Sequence, residues 1–179
     1  VVDTRLSAGP GSELAWLPQE TILFDGSRLK RSFDVALTGN AKLLAHETVV
    51  FGRTAMGETV HQGAFSDFWR VYRDGRLIHA DALRADGDLD DILSHSATLQ
   101  DAKSMSTVFY TGDDAEAHLQ PVRDLIAGLS PAKSIAGVSV WSGKLLFRAV
   151  ATGSATARHM VEPVIRQLRN GQPLPRVWA

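Results

Sequence analysis

The sequence contains no cysteine. That absence removes disulfides, thiolate zinc sites and cysteine nucleophiles together, and leaves imidazole and carboxylate as the side chains suited to a transition metal. It excludes a thiol-based metal chaperone. Nor is either charge in excess: 19 basic and 20 acidic residues give a formal net charge of -1, so the chain lacks the electrostatic footprint that nucleic acid or an anionic membrane requires. No apolar run approaches the ~20 residues of a spanning helix, and no signal-peptide pattern opens the chain. The expected setting is cytoplasmic. Also missing are a Gly-rich phosphate loop, a His-Glu-x-x-His zinc signature and a Gly-x-Ser-x-Gly nucleophile elbow. Asp86 and Asp88 form an Asp-x-Asp far too short to indicate a calcium loop. An enzyme is not expected.

What is present is an ordinary globular composition. With 179 residues, 44% hydrophobic and 22% charged, the chain can bury one core, and it shows no repeat, linker or low-complexity stretch. A single domain over 1–179 is expected.

The first half reads as strands. From Arg28 to Thr38, Leu29, Phe33, Val35 and Leu37 share one parity and polar residues the other, with Arg31 alone breaking the inner face. Ala41 to Phe51 is apolar on both parities, as in a strand covered on both sides. Ala64–Arg73 and Arg76–Ala85 meet across Asp74-Gly75, a strong hairpin signal because both residues tolerate the positive φ of a type I′ turn. Beyond Asp88 the pattern loosens until about Ser104, after which Met105 to Tyr110 reads as another strand.

The chain then becomes helical. Asp113 or Asp114 can cap a helix bearing Leu119, Val122, Leu125, Ile126 and Leu129, with Pro121 delaying or kinking its start. A second hairpin turns at Ser142-Gly143, and Gly153-Ser154 opens a last helix with Met160, Val161, Val164, Ile165 and Leu168 on one face, ended by Asn170-Gly171. The fold class is mainly β, with two α-helices near the C-terminus.

Several polar residues interrupt these patterns. His79 and Asp81 share a strand parity about 7 Å apart, between Leu77 and Leu83, and imidazole with carboxylate suits Ni²⁺ or Zn²⁺. The alternative is that they hydrogen-bond each other or face solvent at a sheet edge. Glu47 breaks the parity of Leu43, Val49 and Phe51. If Glu47 and Glu20 point into one interior they can line a water-filled passage, with Arg31 or Arg53 neutralising one of them; otherwise they are internal ion pairs. His46 lies on the face opposite Glu47. Glu20 with Asp25 could serve acid–base glycoside chemistry, but nothing sets their separation. His61, His95, His118 and His159 stand alone and read as surface residues.

Four blocks in order carry a family resemblance: Trp-Leu-Pro-Gln-Glu-Thr-Ile (Trp16 to Ile22) with Phe24-Asp25-Gly26, Phe51-Gly52-Arg53 with Gly57-Glu58, the Trp69 strand, and Leu174-Pro-Arg-x-Trp178. The sequence resembles the UreD (UreH) urease accessory proteins. It opens Val1-Val2-Asp3 without an initiator Met, and members of that family usually carry a further N-terminal third, so the chain reads as a C-terminal portion of a longer protein. The resemblance implies an elongated β-rich fold. It also implies a non-enzymatic maturation factor that binds urease apoprotein and, with UreF and the GTPase UreG, helps deliver nickel to the urease active site. No tightly bound cofactor is implied, only transient Ni²⁺ on weak, exchangeable ligands. The candidate residues for such a route are Glu20, Asp25, Glu47, Glu58, His79 and Asp81. Two alternatives stay open: a β-sheet binding scaffold without a metal role, and a hydrolase whose catalytic residues lie in the absent N-terminal portion.

Overall fold

A computed structural model describes residues 1–53, 56–129 and 134–178. In chain order the strands are β1 (Val2–Ala8), β2 (Glu13–Trp16), β3 (Thr21–Leu23), β4 (Arg28–Leu37), β5 (Lys42–Phe51), β6 (Gln62–Arg73), β7 (Arg76–Asp88), β8 (Ser104–Thr111), β9 (Ile135–Trp141) and β10 (Lys144–Ala151). The helices are α1 (Leu89–Ser94), α2 (Leu119–Gly128) and α3 (Ser154–Leu168).

The strands form two mixed sheets. One runs β1-β4-β6-β7; the other runs β2-β5-β8-β10-β9, with β3 also paired to β5. Phe33, Val35, Trp69 and Val71 of the first sheet pack on Leu43, Ala45 and Phe109 of the second. On the far side of the second sheet, Leu44, Val108, Leu145 and Phe147 meet Met160, Val161, Val164, Ile165 and Leu168 of α3. These three layers account for the sequence of β5: one of its faces meets the first sheet and the other meets helices, so both parities are apolar.

Both predicted hairpins form. Asp74 and Gly75 have φ of 49° and 76°, and Ser142 and Gly143 have 48° and 68°, the left-handed pair a two-residue I′ turn requires. The β6–β7 ladder then slips: Val71 pairs with His79 but Tyr72 with Leu77, leaving Ile78 as an extra residue. This bulge resets the side-chain alternation. Leu77 is therefore 48% exposed while His79 is buried, so the inner face expected to run Leu77, His79, Asp81, Leu83 begins only at His79.

The helical half matches its sequence pattern closely. A 3-10 turn (Ala115–His118) precedes α2, which places Pro121 in the first turn of the α-helix, where its missing N–H leaves no bond broken. In α3 all five stripe residues are buried; at about 1.5 to 3 kcal/mol each, their burial outweighs the roughly 3 kcal/mol that Pro163 costs inside the helix. The loosened stretch after Asp88 holds a short third helix. Asp88 caps α1 by accepting the Asp91 N–H at 3.1 Å, and Leu89 and Leu93, one turn apart, are buried under it. Among the described residues no helix is long and apolar enough to cross a membrane.

Candidate functional site

Pro18 interrupts one edge of the second sheet, between β2 and β3. β2 pairs with β5 up to Trp16–Ala45, and β3 resumes the pairing at Thr21–Val49. Proline has no N–H to give a ladder, and the Leu17–Glu20 segment leaves β5 across His46, Glu47 and Thr48. A break in one side of the sheet thus falls at the acidic residue that interrupts the parity of β5.

Glu47 faces the first sheet, where Arg31 of β4 and Asp67 of β6 stand opposite one another in register. All three side chains are about nine-tenths buried. Arg31 Nη2 contacts Glu47 Oε2 and lies 2.5 Å from Asp67 Oδ2, and Nη1 donates to Thr21 Oγ1 at 2.9 Å. Each acid also accepts an indole N–H: Trp16 to Glu47 at 3.4 Å and Trp69 to Asp67 at 3.2 Å. Burial pushes the Glu47 carboxyl up, Arg31 opposes this, and the neighbouring Asp67 adds to it. The three groups line a cavity of about 170 Å³ with Trp16, Pro18 and Thr21. With both acids ionised the cluster carries one surplus negative charge, an expensive arrangement in a protein interior.

Arg31 and Asp67 were legible only as exceptions. Arg31 breaks the inner face of β4, and Asp67 sits on the parity of Phe65, Trp69 and Val71, all buried. Three charged interruptions in three core strands are the signal, visible once the strands are known to face each other.

The six candidates share no common centre, although two of them touch: the Asp25 backbone N–H donates to Glu58 Oε1 at 3.4 Å. Glu20 is exposed on the other side of the second sheet, beside a small pocket with Pro18, His46, Thr48, Arg158 and Trp178; Pro18 borders both this pocket and the inter-sheet cavity. Glu20 and Glu47 thus share no interior. His46, as expected, faces away from Glu47; its Nε2 bonds Thr48 Oγ1 at 2.9 Å, which bonds Ser106 Oγ at 2.7 Å. Burial lowers the His46 pKa to about 3.

Asp25 closes a loop: its Oδ1 accepts the backbone N–H groups of His61 at 2.7 Å and Gln62 at 2.9 Å, first Gln62 and then His61 holding its carboxyl below the usual range. Glu58 pairs with Arg53 at 2.5 Å, and that pairing lowers its carboxyl. Arg53 therefore neutralises Glu58, and Arg31 neutralises Glu47. His79 and Asp81 take different partners. His79 stacks on Phe109 with ring centroids 4.4 Å apart, burial lowering its pKa, whereas Asp81 reaches across to Arg148 of β10. His118, expected at the surface, is buried edge-on to Tyr110 at 5.3 Å, because the 3-10 turn carries it inward. Among the described residues no three His, Asp or Glu side chains converge as a metal-holding group.

Fold and site define a two-sheet β protein with α2 and α3 against the outer face of one sheet and a charged cluster between the sheets, beside a break in one of them. The chain belongs to the UreD family: the family model described as UreD urease accessory protein matches residues 1–179. It is 45% identical over 177 residues to the urease accessory protein UreD of Rhizobium rhizogenes and 46% identical over 177 residues to that of Rhizobium etli. The UreD of Methylobacterium sp. strain 4-46 is 42% identical over 179 residues. Each of these matches covers 99% of this chain and 63% of the relative, so the chain spans under two thirds of the length of these curated relatives.

Proposed function

We propose that this chain is part of a urease maturation factor, without catalytic activity of its own, that binds urease apoprotein and works with UreF-type and UreG-type partners to deliver nickel. The relatives' name, urease accessory protein, supports the urease role. The observation that carries the nickel role is the Glu47–Arg31–Asp67 cluster: two buried carboxylates from opposing sheets, one guanidinium between them and a cavity alongside. A transit site needs oxygen ligands that bind weakly and exchange, since a tight site would retain the ion. Two carboxylates with one competing cation meet that description better than a three-ligand cage.

The scaffold reading without metal separates from this one by experiment. Glu47→Gln and Asp67→Asn in the full-length protein each leave Arg31 one acidic partner, so folding is preserved. Urease co-expressed with these variants should contain less nickel, while the accessory complex still assembles with apoprotein. Normal nickel content with folded variants would leave a scaffold with no metal role at this cluster.

A further inference from the structure

We infer that Arg31 is the resident counter-cation of an exchange site, its guanidinium holding the position between Glu47 and Asp67 that a divalent cation takes when it displaces the side chain. This rests on the nickel-delivery reading for its biological sense, though not for its geometry.

The way Arg31 is bound is the first reason. Arginine holds carboxylates most strongly through a planar fork, two parallel N–H···O bonds to one acid. Here a single nitrogen, Nη2, meets an oxygen of each acid, so the guanidinium acts as a point charge where an ion would stand. The rest of the guanidinium makes no such fork: Nη1 goes to Thr21, and Nε is buried with no hydrogen-bond partner among the described residues. Asp67 Oδ1 is likewise buried without a partner. Unpartnered polar atoms on both sides of an ion pair mark an arrangement that falls short of full satisfaction.

Charge and space supply the other two reasons. A guanidinium brings one positive charge to two carboxylates, whereas a divalent cation brings two and removes the surplus. The free oxygen of Asp67 gives it an additional ligand, and retained waters can complete the shell, as is usual for oxygen-bound divalent ions. The displaced side chain needs somewhere to go, and the cavity of about 170 Å³ begins at Arg31 itself. Its Thr21 contact comes from β3, on the far side of the break at Pro18.

The test is equilibrium dialysis of the full-length protein against Ni²⁺ alone. Arg31→Gln should bind one ion per protein at least about tenfold more tightly than wild type, because a competing unit charge no longer opposes it. The gain should vanish when Asp67→Asn is added. A folded Arg31→Gln protein with wild-type affinity, or a gain that survives Asp67→Asn, overturns the exchange. Should Arg31→Gln fail to fold, crystals of wild type in millimolar NiCl2 carry the test. Anomalous scattering should place nickel where Nη2 now lies, with the guanidinium turned into the cavity; metal elsewhere only, or none, overturns it. Tightened binding together with normal urease loading in Glu47→Gln and Asp67→Asn would sink the delivery reading and keep the exchange. Impaired loading with no gain in affinity for Arg31→Gln would do the reverse.

Discussion

The indole N–H of Trp178 donates to the backbone carbonyl of Leu17 at 2.9 Å, across 161 positions of sequence. Gln19 adds a second tie to the Val177 carbonyl at 2.8 Å, Arg158 bonds the Trp178 carbonyl, and the Trp178 ring meets His46 edge-on at 5.0 Å. The two blocks that begin and end the family pattern are therefore one structural unit. It holds the Leu17–Glu20 segment, and with it the break in the sheet.

Trp178→Ala should accordingly cost about 3 to 5 kcal/mol, the usual range for removing a buried aromatic. Chemical denaturation reads this directly. Hydrogen exchange should also quicken at Thr21 to Leu23, whose strand follows the released segment. A variant with wild-type stability and exchange would mean that the clasp contributes nothing.

A different scale applies to Asp81. Its partner Arg148 is half exposed, and pairs of that kind are worth roughly 0 to 1 kcal/mol. Asp81→Asn should therefore leave the melting temperature almost unchanged. A loss of several kcal/mol would show that the pair is buried in solution.

Much of this architecture was legible because local pattern and tertiary environment agree. The two hairpins, the doubly covered β5 and the α3 stripe each follow from a period or a turn dipeptide. β1, β2 and β3 escaped notice, since their parallel pairings lie far away in sequence and two of them are only three or four residues long. Helix α1 has a single turn and a half, too short for a period to show. Leu77 was misjudged because the bulged residue before His79 inverts parity, and nothing in the residue types announces it. The candidate site was half visible: Glu47 stood out in its strand, but its partners Arg31 and Asp67 are on other strands, and only the pairing of sheets brings them together.

His46 sets an acid limit on stability. Its folded pKa of about 3 lies below the ordinary value near 6.5, so the unfolded chain takes up the proton first as pH falls. The stability this group contributes is complete above pH ~6.5 and declines toward pH 3 by about 1.4 kcal/mol per unit. His46→Gln, which can keep the bond to Thr48, should flatten that decline. Denaturation midpoints between pH 7 and 4 check it; equal slopes for variant and wild type would show that His46 protonates without unfolding.

Val164 is fully buried between α3 and the second sheet. A carboxylate there has no partner, and an uncompensated buried charge costs several kcal/mol. Val164→Asp should fail to fold or melt far below wild type, whereas Val164→Ile should change stability by only about 1 to 3 kcal/mol through overpacking. Circular dichroism melts of both variants decide the matter: a wild-type melt for Val164→Asp would place α3 away from the sheet.

Glu47 works in the opposite direction to His46. Burial raises its carboxyl above the ordinary value of 4.5, so the folded protein holds this proton more firmly than the unfolded chain does. Its ionisation therefore opposes folding: the penalty is absent below pH ~4.5 and builds as pH rises through the folded value. Glu47→Gln removes the charge while Arg31 keeps Asp67, and should be at least as stable as wild type at pH 7. The advantage should shrink on acidification and vanish near pH 4.5. Taking the difference between variant and wild type at each pH cancels the His46 contribution, which is common to both. If Glu47→Gln is instead clearly less stable at neutral pH, the Arg31 contact outweighs the burial of the carboxylate, and Glu47 is held as a structural ion pair.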